Sequence, residues 1–280
     1  MVADRPHLER VAELAEGIAR LHGFASPPVL PHTILEEEPV SIFGEDFDSA
    51  FDGRLEYHKD LKHFGLYYNT YGRQQPYGRS RFSLAHELGH YVLDAHRHHL
   101  ELGGDSHNSR AGFQIDSGIE READVFAAHF LMPRYLLEDR INDPDMDTVI
   151  RLSSDFQTSL LCAARRFVDT TSRACTLVVS QGGRVHYSRH SEEMRALGYV
   201  YVMQGLELPA GRVVRKSRSG LEEWTHIEEK RSSSQEWSGN DRGPDRRLWM
   251  QTVHQPSYDR AITLLIYERG SEDDVGVDDD

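Results

Sequence analysis

The sequence predicts an α+β fold, and three patterns carry the prediction. Two strand-like runs, Gly53–His58 and His63–Asn69, flank a Lys59–Lys62 turn and read as a hairpin. A helical run, Arg81 to Asp94, follows them and contains His86-Glu87-Leu88-Gly89-His90. Past a second acidic helix, Thr176–Val179, Gly198–Met203 and Ala261–Tyr267 read as strands of a further sheet-containing region.

Composition bounds the rest. A chain of 280 residues can bury one large core or two modest ones, which allows one to three domains. With 38% hydrophobic and 9% aromatic residues it is globular. A net charge of −14 argues against a protein whose main business is coating nucleic acid, so direct nucleic-acid binding is not expected. Cys162 and Cys175 form no CxxC pair and no disulfide framework; they read as small buried apolar residues. The opening Met-Val-Ala-Asp-Arg-Pro lacks the apolar segment of a signal peptide, and no run approaches the ~18 apolar residues of a membrane span. The expectation is a soluble cytoplasmic protein without a membrane partner.

In chain order, Leu8, Val11, Leu14, Ala15, Ile18 and Leu21 stand at helical spacing over residues 7–22, and Gly23 ends the pattern. Pro27, Pro28 and Pro31 mark a connector, His32–Glu38 suggests a short second helix, and Val40–Phe43 a strand. A strand pair followed at once by the histidine helix is the order of a zincin-type catalytic domain, in which an edge strand holds extended substrate. Phe64–Asn69 is the candidate edge, with a buried hairpin as the alternative.

Two histidines four apart on a helix project from one face and can reach one metal ion. Glu87, beside the first, is held near that metal without ligating it, placed to take a proton from a water there. Such a pentapeptide also arises by chance in a chain with 16 histidines, so the next helix matters. Between them, Ala95–Asp116 reads as a polar loop whose His96, His98, His99 and His107 are solvated, an auxiliary metal site being the lesser alternative.

Ser117–Pro133 reads as that next helix, with Ser117 as N-cap and Pro133 as the stop. A HExxH metal has two protein ligands and wants a third. At about 100° per residue, Glu120 and Glu122 point roughly opposite ways, so at most one can serve. Glu120 shares its side with Asp124, Ala127 and Leu131; Glu122 shares its side with His129. Glu120 is the candidate ligand, and Asp124 is placed to hydrogen-bond a ligand histidine. Ser117 and Glu120 also stand at capping-box spacing, which would give Glu120 only a capping role.

Arg81-Phe-Ser-Leu-Ala-His-Glu-Leu-Gly-His90, taken with Glu120-Arg-Glu-Ala-Asp-Val-Phe-Ala-Ala-His-Phe-Leu-Met-Pro133, resembles the ImmA/IrrE family of bacterial zinc peptidases. The resemblance covers about the first half of the chain. It implies His86, His90 and Glu120 as ligands of Zn2+ (or Mn2+), Glu87 as the catalytic carboxylate, and Asp124 at the family's Asn/Asp position. It further implies a metalloendopeptidase whose protein substrate is a helix-turn-helix repressor, cut to release stress-response or mobile-element genes. The second half resembles the longer, deinococcal IrrE-type members. That likeness implies a zincin-like domain over 1–143, a helix-turn-helix-like segment over 144–172 and an α/β GAF-like sensor domain over 173–270 that takes a small-molecule or signal ligand. An acidic disordered tail, 271–280, would follow. Leu206–Arg247 is polar and mixed in charge and, with its basic runs Arg215–Arg218 and Asp241–Arg247, reads as solvated loops, a basic docking surface for a partner being the alternative. Tyr91, Tyr135 and His129 are conceivable oxyanion stabilisers, none of them assigned. The competing expectation is a non-catalytic DNA-binding or ligand-sensing regulator with a structural metal, in which residues 145–170 offer Arg151, Arg165 and Arg166 to DNA.

Overall fold

The computed structural model describes residues 5–48, 50–70, 77–104, 108–109, 118–198, 202–208, 227–238 and 245–268. The chain divides into two compact units, Met1–Arg140 with Arg151–Arg166, and Ile141–Ile150 with Phe167–Asp280. The result is a mixed α+β protein.

The first unit opens with α1 (Arg5–Leu21), which buries Val11, Ala15 and Ala19, and the short α2 (Pro31–Leu35). Strands β1 (Val40–Glu45), β2 (Gly53–His58) and β3 (His63–Asn69) follow. The β2–β3 hairpin has the predicted bounds, pairing Leu55 with Leu66 and Tyr57 with Phe64. The site helices come next: α3 (Tyr77–Val92), α4 (Asp94–Glu101) and, after the two-residue strand β4 (Asn108–Ser109), α5 (Gly118–Leu131).

The sheet order is β1-β3-β2-β4. β1 pairs parallel with β3, from Val40 opposite Phe64 to Glu45 opposite Asn69. The expectation that Phe64–Asn69 is an edge is therefore corrected: β3 is interior, and β1 and β4 are the edges. A strand's neighbours are set by which open side of the hairpin a third strand docks on, which periodicity does not encode. The Ala95–Asp116 loop is also corrected, because Asp94–Glu101 is helical and buries His96 and Leu100. His107 and Ser117 lie outside the described residues.

Two anchors fix the start of α3. Arg79 makes a bidentate bridge to Asp52, both contacts 2.9 Å, and buried Arg81 donates to the Val29 carbonyl at 2.6 Å. Asn69, fully buried, donates to the Asp48 and Phe51 carbonyls and accepts from the Phe47 amide, closing the loop that leads into β2. α3 then lies close against α5, because Gly89 offers no side chain there. A Cβ on Gly89 would meet Phe126 at 3.0 Å.

Beyond α5 come α6 (Arg134–Leu137), α7 (Met146–Phe156) and α8 (Leu160–Thr170). Buried Arg166 on α8 ties its unit together: it donates to Glu16 on α1 at 3.0 Å and to the Met132 carbonyl at 2.9 Å, and lies 3.0 Å from His129 on α5.

The second unit is built on β5 (Cys175–Gln181), β6 (Arg184–His190), α9 (Glu192–Ala196), β7 (Glu228–Ser233), α10 (Ser234–Trp237), β8 (Arg247–Gln255) and β9 (Arg260–Tyr267). Its sheet order is β6-β5-β9-β8-β7, every pairing antiparallel. The runs Thr176–Val179 and Ala261–Tyr267 are its neighbouring inner strands and are buried on both faces. One face packs Val178, Leu265, Met250 and Leu248 with Met194 and Trp237. The loop expectation for Leu206–Arg247 is corrected where the chain is described, since Glu228–Trp237 forms β7 and α10. Of Gly198–Met203, Gly198, Val202 and Met203 are not in a strand; 199–201, like Arg215–Arg218 and the tail 271–280, lie outside the described residues.

Candidate metal centre

The helical spacing of His86 and His90 sets their rings one above the other on one face of α3, edge to face, and both are buried. Their Nε2 atoms lie 3.1 Å apart. From α5, Glu120 brings Oε2 to 3.2 Å of His86 Nε2 and Oε1 to 3.5 Å of His90 Nε2. His86, His90 and Glu120 thus form a three-donor group, with donor atoms within 4.8 Å of one another. Glu120 is 5% exposed and faces this cluster, so capping is not its only role.

The spacing fits a metal. With metal–nitrogen bonds of about 2.0–2.1 Å, a tetrahedral site sets its donors about 3.3–3.4 Å apart; the observed separations of 3.1, 3.2 and 3.5 Å bracket that value. The electrostatics fit as well. Burial lowers the affinity of His86 for a proton, but the Asp124 and Glu120 hydrogen bonds and the charges of Asp124 and Glu87 outweigh it and raise its pKa to about 10. A field that holds positive charge so firmly suits a divalent cation in the proton's place.

Asp124, one turn beyond Glu120, lies behind His86, its Oδ1 2.9 Å from Nδ1. An ionised carboxylate only accepts, so Nδ1–H donates, and with a metal in place of the second proton His86 would turn its Nε2 lone pair into the cluster. Glu87 is 1% exposed. It shares a cavity wall with Leu55, His90, His96, Leu100 and Ile119. Gly53 on β2 lies against it, where an added Cβ would stand 2.5 Å from Glu87 Oε1. Only glycine lets the strand pass so near the carboxylate.

Sequence reasoning missed His96. It is 4% exposed, its Nδ1 lies 3.0 Å from His90 Nδ1, and its Nε2 lies 3.1 Å from Glu122 Oε2. Burial holds its pKa below the usual imidazole range, against the pull of Glu122. Glu122, the losing candidate for the third ligand, also meets His7 at 3.1 Å. The signal was the cluster of histidines after α3, which read as a loop because Asp94–Glu101 has few apolar residues. Gly53 was missed for lack of any signal: a glycine opening a strand has many explanations.

The conceivable oxyanion groups are engaged elsewhere. Tyr91 donates to Glu38 at 3.1 Å, Tyr135 to the Phe24 carbonyl at 2.8 Å, and His129 meets Glu16 at 2.7 Å. Cys162 and Cys175 are both buried and free, and burial pushes the Cys175 thiol up to about 12, so it is inert. No helix among the described residues is long and apolar enough to cross a membrane.

No curated protein matches the sequence. Among solved structures, a Mycobacterium tuberculosis transcriptional regulator is similar, with a TM-score of 0.55 over 97% of this chain and 94% of that chain. Its identity of 13% makes this a likeness of fold alone. Residues 41–168 match the family described as Peptidase_M78, IrrE N-terminal-like domain; they run from β1 through the site helices to α8. Over residues 41–168, then, the chain is similar to the IrrE N-terminal-like domain.

Proposed function

We propose that this protein is a metal-dependent endopeptidase that cuts a protein substrate, a helix-turn-helix transcriptional repressor, and so switches on stress-response or mobile-element genes. The observation that carries the proposal is the donor group His86, His90 and Glu120 with buried Glu87 beside it in a domain similar to that of this family. A structural metal site closes its coordination with four protein ligands and has no use for an adjacent carboxylate; three ligands and a neighbouring base suit catalysis.

His86 and His90 hold the metal through Nε2 and Glu120 through its carboxylate, zinc being the expected ion and manganese the alternative that the same donors accept. When bound, the metal supplies Lewis acidity, which makes water acidic near neutral pH and polarises a peptide carbonyl. Glu87 takes the proton from the attacking water and delivers it to the departing amine. Asp124 keeps His86 in the ligating tautomer.

In this reading residues 1–143 form the peptidase domain, 144–172 a helix-turn-helix-like segment and 173–270 a GAF-like sensor for a small-molecule or signal ligand. The antiparallel sheet of the second unit supports the last part. Repressor cleavage also accords with the similar fold of a transcriptional regulator. Direct DNA binding through 145–170 is disfavoured. Arg166, one of the three arginines named, is buried in its bonds to Glu16 and the Met132 carbonyl and so is withdrawn from the surface.

The test is to incubate the zinc-loaded protein with helix-turn-helix repressors encoded near it and read fragments by mass spectrometry. One discrete cut, absent with Glu87→Gln, is expected. Cleavage by Glu87→Gln at the wild-type rate removes Glu87 from the mechanism. A zinc-loaded protein that cuts none of them contradicts the substrate class.

A further inference from the structure

The two ligand histidines are backed differently. His86 meets a carboxylate directly, whereas His90 Nδ1 meets another imidazole, His96, at 3.0 Å. The proton positions along this second path follow from donor and acceptor chemistry. Glu122, ionised, can only accept, so His96 Nε2, 3.1 Å away, carries the hydrogen and donates. Neutral His96 then has a lone pair on Nδ1, which must accept. His90 Nδ1–H is therefore the donor of the 3.0 Å contact, and His90 Nε2 is left with its lone pair facing His86 and Glu120.

We infer that His96 and Glu122 are positioning residues that fix the ring and the tautomer of His90, so that Nε2 is presented to the metal. The inference rests on the proposed metal centre and assigns residues to it that the ligand pattern does not contain. It gives one helix a threefold role. Along α5, Glu120 ligates, Asp124 backs His86, and Glu122 backs His90 through His96. Glu122 points away from Glu120 by about 200° at helical spacing, too far round to ligate. α4 brings His96 across to meet it. His7, on the far side of Glu122 at 3.1 Å and 41% exposed, closes the path at the surface.

The experiment is a zinc titration of the full chain against a chromophoric chelator, with the melting temperature of each metal-free protein as control. His96→Ala is expected to weaken zinc binding by about 10- to 100-fold with little change in the metal-free melt. His96→Gln, whose amide can accept from His90 and donate to Glu122, is expected to recover most of that loss, which a merely space-filling role would not predict. Should His96→Ala fail to fold, Glu122→Ala removes the far acceptor from a half-buried position and is expected to weaken binding in the same direction. Wild-type affinity in a folded His96→Ala, or in Glu122→Ala, overturns the inference and leaves the metal centre intact. A wild-type protein that binds no zinc overturns the metal centre itself.

Discussion

In the first unit the buried polar side chains are largely ionisable and they converge: His86, Glu87, His90, His96 and Glu120 surround one spot between α3, α4 and α5. In the second unit they are mostly strand hydroxyls and amides, among them Thr176, Ser180, Gln251, Thr252 and Thr263, with His254 the charged-type exception among the described residues. Thr252 and Thr263 satisfy each other across β8 and β9 at 2.9 Å, and Thr176 meets His190 at 2.9 Å. Neutral pairs of this kind cost little to bury once hydrogen-bonded. Buried carboxylates and imidazoles cost several kcal/mol each unless compensated, and a bound cation at the candidate metal centre would compensate the five gathered there. The contrast marks the candidate metal centre without reference to any relative.

Substitutions in the two regions should therefore fail in different ways. The largest effect belongs to Glu87→Gln, which should keep metal and fold while peptide cleavage falls by about 10²–10⁴-fold, the range of a lost general base; cleavage rate and metal content on one sample check both halves. Gly53→Ala should displace the Glu87 carboxylate, because the new Cβ would stand 2.5 Å from Oε1. Activity should drop by up to about 100-fold with zinc retained, and unchanged kinetics would remove the close approach from the account.

A charged cluster in the same unit gives a control in which only stability moves. Burial pushes the Glu16 carboxyl up, but its His129 hydrogen bond and the Arg166 charge outweigh this and hold it below its ordinary value of 4.5. A depressed acid stabilises the fold above its unfolded pKa, and that contribution is lost as pH falls through the folded value. Glu16→Gln should cost about 3–5 kcal/mol at neutral pH, since it leaves buried Arg166 short of a charge partner. The difference from wild type should shrink as pH drops below 4.5. A pH-independent difference in denaturant melts would contradict it.

The smallest effect is in the second unit. Thr252→Val strands the Thr263 hydroxyl and should cost about 1–2 kcal/mol, whereas Thr252→Val with Thr263→Val should be nearly neutral, with cleavage untouched by either. Loss of activity in the double variant would blur the line between the two regions.

How far the sequence alone reaches follows from the same physics. The β2–β3 hairpin was legible because two alternating runs bracket a polar turn, and α3 and α5 because apolar residues recur at helical spacing around marked histidines and acids. α4 was not, since Asp-Ala-His-Arg-His-His-Leu-Glu carries only a thin apolar stripe and its place is fixed by packing Leu100 and His96. β7, Glu-Glu-Lys-Arg-Ser-Ser, has no apolar alternation at all and exists as an edge paired to β8. The parallel docking of β1 on β3 is a tertiary choice. At the site, residue types and a three-to-four spacing pointed to His86, His90, Glu120 and Asp124, while His96 and Gly53 act across space from elements whose patterns are silent.

The account stands on the metal centre, and metal content tests it most directly. Plasma emission spectrometry on purified wild type beside Glu120→Ala should find about one divalent ion per chain in the first and essentially none in the second. A metal-free wild type, or an Glu120→Ala protein that keeps its ion, would contradict the assignment of His86, His90 and Glu120 as the site.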